Sequence, residues 1–252
     1  MKIVVIGGTG LIGSQLCENL QALGHEALAA SPSTGVNVIS GEGLKEALKG
    51  AQVVVDVANS PSFEDHAALH FFETAGKNLF AAEKADGVKH HVALSVVGTE
   101  RMLESGYFRA KMAQEKIIKS SGIPYTILRA TQFFEFIGAI AYSGREDGNT
   151  IHLTPAALQP IASLDVATAL TDIALKAPDN QTLEVAGPDR KPIVEFVSQY
   201  LQHIRDPREV VSDDTVPYFG APINDQSLTP GANPIVGATR FEQWLKSTSA
   251  PS

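Results

Sequence analysis

The sequence predicts an α/β protein built on a doubly wound parallel sheet, and three observations carry that prediction. Short apolar, β-branched runs alternate with segments of helical period as far as about residue 143. The runs show no polar–apolar alternation, which marks strands buried on both faces. The first run stops at a glycine-rich turn that opens straight into a helix. Strands separated by helices imply right-handed βαβ crossovers and a parallel sheet.

Taken in order, residues 2–6 (KIVVI) are the first strand. Ile12, Leu16, Leu20 and Leu23 then recur at helical spacing, and Gly24 closes the helix at its C-terminal cap. HEALAA at 25–30 is a second strand, ended by a Ser-Pro-Ser-Thr-Gly turn. GEGLKEALKG holds a short helix and QVVVDVA at 52–58 a third strand. A helix over about 63–86, a strand at 90–97, a helix at 107–121 and a strand at 124–130 follow.

Beyond about residue 143 the pattern changes. GREDGNT is expected as a loop, PAALQPIASLDVATALTDIAL as a short strand and a helix, and TLEVAG as a strand. Residues 207–239 are rich in Pro, Gly, Asn and Asp and nearly aperiodic, and RFEQWLKS at 240–247 is a terminal helix held by Phe241, Trp244 and Leu245. The expectation is a single domain over 1–252, with a core of about 1–143 and a small covering region of about 144–252.

Composition narrows the function. The 252 residues carry 44% hydrophobic and 19% charged side chains, the balance of a soluble globular chain. Lys and Arg number 20 against 28 Asp and Glu, a formal charge of −8 with no basic cluster. That argues against nucleic acid, whose affinity rests on neutralising phosphates. Cys17 is the sole cysteine, so no internal disulfide is possible and a reducing compartment is expected. No signal-peptide pattern and no apolar run of the ~20 residues a membrane span needs are present, so the expected setting is cytoplasmic, away from membranes. The oligomeric state is not legible.

GGTGLIG, residues 7–13, is the strongest motif. It lies between a strand and a helix, the context that gives a glycine pattern meaning. Gly7 suits a tight turn, Gly10 admits a pyrophosphate to the backbone, and Gly13 lets the helix lie close to the strand. The helix start, with its unpaired N–H groups and positive dipole end, then faces the phosphates. At the end of the second strand a carboxylate would mark NAD and an Arg NADP. Neither stands there; Ser31, Ser33 and Thr34 do, and their hydroxyls favour the 2′-phosphate of NADP.

The Gly7-x-x-Gly10-x-x-Gly13 form, with Thr9, resembles the short-chain dehydrogenase/reductase superfamily in its atypical branches, and within it the NmrA-like group of NAD(P)-binding Rossmann proteins. The likeness continues through SGIPYTILRATQFFEF, QPIASLDVATAL, LEVAGP and the terminal FEQWL, and is weakest over about 190–238. It implies cofactor contacts from Gly7, Thr9, Gly10, Leu11, Ile12 and Gly13, and backbone contacts from Val57, Ala58 and Asn59. Asp56 reads as structural, and Ser163 and Asp165 as helix caps.

The resemblance further implies a catalytic set of Ser95, Tyr107 and Lys111, with Lys111 also on the nicotinamide ribose. The chemistry explains the set. Hydride delivered to a ketone carbon leaves an alkoxide, which needs a proton from a nearby group. Tyr107 is the donor, Lys111 one helical turn on lowers its pKa, and Ser95 polarises the carbonyl. At ~100° per residue, Tyr107, Lys111, Gln114 and Ile118 form one line at the edge of the apolar stripe through Ala110, Ala113 and Ile117, while Arg109, Glu115 and Lys116 face solvent. Periodicity alone leaves Lys111 open to a snorkelling role. Phe133, Phe134 and Phe136 after the fifth strand are expected to wall a substrate pocket, at least one of them as plain core.

His66 and His70 at i, i+4 lack a third ligand, His90 and His91 read as a strand edge, and no metal is expected. Two readings of different class remain: an NAD(P)H-dependent reductase of a small apolar carbonyl or quinone, and a non-catalytic dinucleotide-sensing regulator. Tyr107 favours the first. A nucleotide-sugar epimerase is disfavoured, because the tail is short for a nucleotide-sugar lobe.

Overall fold

A computed structural model describes residues 1–248. It opens with strand β1 (Lys2–Ile6), in which Ile3, Val4, Val5 and Ile6 are all buried. Next come α1 (Leu11–Ala22), β2 (Glu26–Ala30), α2 (Leu44–Leu48), β3 (Val53–Asp56) and α3 (Asp65–Asp86). Then follow β4 (His90–Val96), α4 (Gly106–Ser120), β5 (Tyr125–Ala130), α5 (Ile137–Tyr142), β6 (Arg145–Asp147), β7 (Thr150–Leu153) and β8 (Ala157–Leu158). The chain continues through α6 (Ser163–Ala174), β9 (Gln181–Ala186), β10 (Lys191–Pro192), α7 (Ile193–His203), β11 (Glu209–Ser212), β12 (Ile235–Val236) and α8 (Phe241–Ser247).

Among the described residues the main sheet has seven strands in the order β12-β9-β5-β4-β3-β1-β2. β1 pairs in parallel with β2 (Val4 opposite Leu28) and with β3 (Val4 opposite Val54), and β3 with β4 (Val55 opposite Val92). The chain runs outward from β1 to β2, then returns across β1 to β3. That reversal opens a crevice at the carboxyl ends of β1 and β3, where such sheets bind ligands.

Two compact units are distinguishable. The first comprises Met1–Arg129 and Val166–Leu183. The second comprises Ala130–Asp165 and the chain from Glu184 onward. Residues 166–183, which hold most of α6 and the start of β9, thus group with the first unit although they follow part of the second in sequence.

In the first unit α3 lays Ala68, Phe72, Ala75 and Leu79 inward at helical spacing and ends on Gly87, whose φ of +69° is left-handed. α3 and α4 pack closely because two glycines allow it. A Cβ on Gly106 would lie 2.8 Å from the Cα of Asp65, and one on Gly76 would lie 3.2 Å from Ile117 Cγ2. His90 and His91 are not at a strand edge. Both are buried on the central strand β4, His90 Nε2 lying 3.0 Å from Thr126 Oγ1 and His91 Nδ1 2.8 Å from Glu83 Oε1.

In the second unit the expected loop at 144–150 is a hairpin instead. β6 and β7 pair antiparallel around Gly148 (φ +58°), and β11 joins β7 in parallel. Asp147-Gly148 was the signal for that turn. Helix α7, which the sequence reading leaves unassigned, buries Ile193, Phe196, Val197 and Leu201. Phe241 of α8 packs against Phe134, Phe196 and Trp244, with ring centroids 5.1–5.7 Å apart, as the anchors of the terminal helix were expected to do.

Candidate active site

The glycine loop has the stereochemistry its sequence required. Gly7 adopts φ +78°, and a Cβ there would meet Ala58 N at 2.9 Å. The loop and the exit from β3 are thus in backbone contact. Gly13 sits so close beneath the loop that a Cβ would lie 2.2 Å from Gly7 O and 2.6 Å from Gly8 Cα. Gly10 is the N-cap of α1, and a Cβ on it would find only Gly7 O, at 3.3 Å. Space in front of Gly10 is therefore open, no side chain caps the helix, and its first turn carries no acidic residue. The first N–H groups of a helix have no carbonyl behind them. That cradle fits a pyrophosphate. Leu11 is exposed, whereas the Ile12 side chain is buried, so Ile12 can offer a ligand only its backbone.

Ser31 and Ser33 meet the same loop. Ser31 Oγ accepts from Thr9 N at 3.3 Å, and Ser33 Oγ lies 3.4 Å from Thr9 Oγ1. Thr34 Oγ1 in turn accepts from Ser31 N at 2.9 Å, closing a single turn of 3-10 helix. The cluster presents hydroxyls with no formal charge between Glu26 and Glu42.

Across the crevice, Val57 N bonds Ile6 O at 3.0 Å, and the Asp56 carboxylate accepts from Ala58 N at 3.0 Å. Asp56 thus shapes the turn, as its structural reading requires. Asn59 follows with its side chain outward. Its Oδ1 accepts from Ser60 N at 3.0 Å and from the Tyr107 hydroxyl at 3.2 Å. The Ser60 bond fixes which end of the amide meets the phenol, so Asn59 holds the proton on Tyr107. Burial of the ring pushes the phenol up to about 12. Sequence reasoning picked Asn59 for its backbone and missed its side chain.

Tyr107 lies against Phe63, Phe72 and Phe108, with centroids at 5.2, 6.5 and 5.9 Å. The loop before it is braced at several points. Arg101 and Met102 amides bond Gly98 O, Arg109 Nη1 donates to Leu103 O and Glu104 O at 2.7 and 2.9 Å, and Arg109 pairs with Asp65.

Lys111 and Tyr107 share a helix face, yet their polar ends part. Lys111 Nζ donates to Leu94 O at 2.8 Å and to Gln114 Oε1 at 2.5 Å, and stands 4.6 Å over the Phe72 ring. Gln114 Nε2 continues to Asp56 Oδ2 at 3.1 Å. Burial lowers the Lys111 amine to about 8, against the pull of Asp56 and Glu115. The expected lowering of the Tyr107 pKa by Lys111 is absent, since burial dominates and raises it.

Ser95 is buried at the end of β4, and its hydroxyl donates to Glu115 Oε1 at 2.7 Å. Its bond thus runs to α4 and not to Tyr107. Glu115, expected to face solvent, is fully buried because Arg129 of β5 forks it: Nε and Nη2 reach its two oxygens at 2.8 Å each. Those bonds hold the Glu115 carboxylate below its usual range despite burial. Arg129 also pairs with Glu100 in the loop before Tyr107.

The three phenylalanines separate. Phe134 is core of the second unit, Phe133 is half-buried beside Ile161, and Phe136 keeps 36% of its surface exposed. Among the described residues no cluster of His, Cys, Asp or Glu could hold a metal, and no helix is long and apolar enough to cross a membrane.

A phosphate cradle at the switch point of a parallel sheet defines a dinucleotide-binding α/β protein. The chain belongs to the NAD(P)H-binding family, whose model matches residues 7–176, and is of the NmrA-like atypical short-chain dehydrogenase/reductase kind. The photosystem II assembly factor Ycf39 of Cyanophora paradoxa is 27% identical over 206 residues, 74% of this chain and 64% of that protein. The bifunctional pinoresinol-lariciresinol reductase 2 of Linum usitatissimum is 28% identical over 173 residues, 57% of this chain and 51% of that protein. The match thus spans about half to two-thirds of these curated relatives. Among solved structures, the UDP-glucose 4-epimerase of Thermus thermophilus in complex with NAD shares the fold, with a TM-score of 0.68 at 18% identity, covering 86% of this chain and 88% of that one.

Proposed function

We propose that this chain is an NAD(P)H-dependent reductase of a small apolar carbonyl or quinone, with NADPH preferred. The observation that carries the reading is the Tyr107 hydroxyl, protonated and held 3.2 Å from Asn59 Oδ1 beyond the carboxyl end of β3. NAD(P)H, when bound, supplies a hydride. Residues 7–13, with Val57 and Ala58, would hold its pyrophosphate side. The hydroxyls of Ser31 and Ser33 support the preference for a 2′-phosphate.

In this reading the Tyr107 phenol gives its proton to the carbonyl oxygen as that oxygen becomes an alkoxide. Asn59 keeps the phenol oriented until the substrate oxygen takes its place. Ser95 and Lys111 act as positioning residues: Ser95 ties the end of β4 to Glu115, and Lys111 grips Leu94 O from α4. The apolar character of the substrate rests on the aromatic surroundings of Tyr107, where Phe63 packs 5.2 Å from its ring and stays largely exposed.

The test is NADPH consumption against a panel of ketones and quinones. Tyr107→Phe is expected to lower kcat by ~10²–10⁴-fold, with NADPH affinity unchanged. Tight NADPH binding without turnover of any panel member, in the parent and the variant alike, would replace this reading with the dinucleotide-sensing regulator.

A further inference from the structure

The turn Tyr218–Ala221 in the second unit breaks a local rule. Tyr218 and Ala221 exchange backbone hydrogen bonds of 2.8 and 3.0 Å, and both residues between them have positive φ, +46° at Phe219 and +83° at Gly220. That is the mirror-image two-residue turn, whose first position prefers Asn, Asp or Gly. A bulky side chain in that conformation is an outlier. Phe219 is therefore held against its own backbone preference, and strain of this kind gathers at ligand contacts.

What the strain achieves is visible in the ring. Phe219 stacks on Phe136 with centroids 5.7 Å apart and planes 26° from parallel, while the buried Tyr218 meets its edge at 4.9 Å. Both stacked rings remain open to solvent, Phe219 at 50% and Phe136 at 36%. Half of an aromatic surface left in water contributes little to a core, so packing alone does not explain the choice of Phe. Two part-exposed rings offer far less than the ~800 Å² per side that a stable protein interface needs. They match a single flat ring system laid in an offset stack.

We propose that Phe219 and Phe136 form a shelf that binds a planar aromatic or quinonoid ring. The shelf goes beyond the reductase reading and is tested apart from it, by equilibrium dialysis of 2-methyl-1,4-naphthoquinone against the full chain without nicotinamide cofactor. The parent is expected to bind the naphthoquinone well above cyclohexanone. Phe219→Asn, the residue the turn prefers, is expected to keep or raise Tm while losing at least tenfold in naphthoquinone affinity; Phe219→Tyr is expected to retain that affinity. The proposal is overturned if the parent shows no preference for the flat ring, if Phe219→Asn binds it as the parent does, or if Phe219→Asn lowers Tm with unchanged affinity.

Discussion

At the scale of single residues, Tyr107 and Lys111 show how burial can reverse an expectation drawn from spacing. Four residues apart on α4, they suggested a phenol acidified by a neighbouring cation. Instead the phenol stands at about 12 and the amine at about 8, each displaced by desolvation. A raised phenol is still a competent proton donor, so reduction is expected to show no loss from Tyr107 ionisation up to pH 10. A pH–kcat profile whose alkaline limb below that pH vanished in Tyr107→Phe would contradict the assignment. Lys111 makes a stability prediction. Its folded pKa lies below the unfolded value, so between pH 8 and 10.5 the unfolded chain binds more protons. The Lys111 contribution to stability is therefore expected to be full above pH 10.5, to fall as pH drops to about 8, and to level off below. The span is on the order of 3 kcal/mol, and urea titrations of the parent and Lys111→Met should differ by that slope. Asn59 was visible in the sequence as a residue at a strand end, but its side-chain partner lies 48 positions away in α4.

At the scale of elements, close packing sets the site. The Cβ that Gly13→Ala introduces would face backbone atoms at 2.2, 2.6 and 2.9 Å, none of them able to swing aside. α1 must then back away from the loop, so NADPH affinity is expected to fall at least tenfold, with a loss of about 1–3 kcal/mol in stability; calorimetric titration and thermal unfolding check both. Helix α4 was legible as a helix, but Lys111, Gln114 and Ile118, read as the edge of its apolar stripe, are buried, while Ala113 and Ile117 are only half-buried. The burial of Glu115 was not legible, because a carboxylate next to an apolar stripe faces water unless a cation from another element reaches it. Arg129 of β5 does so. Removing one partner of such a buried pair is costly, and Glu115→Gln is expected to destabilise by ~3 kcal/mol, measured by urea unfolding. Hairpin β6–β7 and helix α7 carried readable signals, a Gly after Asp147 and apolar residues at helical spacing, but the Pro- and Gly-rich surroundings obscured both.

At the scale of the whole molecule, the residues that can hold a dinucleotide lie in the first unit. NADPH at about 100 times its Kd is therefore expected to raise stability by ~2.7 kcal/mol. Amide exchange should slow most at residues 7–13 and 57–60 and least at 191–212. Uniform protection, or none in the glycine loop, would contradict the cradle. By itself the sequence determined the parallel strands, the helices between them and the glycine loop, because burial on both faces, helical period and glycine's tolerance of φ +78° are properties of contiguous residues. Only the tertiary structure decided that Asn59 orients Tyr107, that Ser95 and Lys111 turn toward Glu115 and Leu94, that Glu115 is buried, and that Phe219 is strained into a stack. Each depends on a partner brought near by packing between elements, and the spacing along a chain carries no record of which distant side chain will be there.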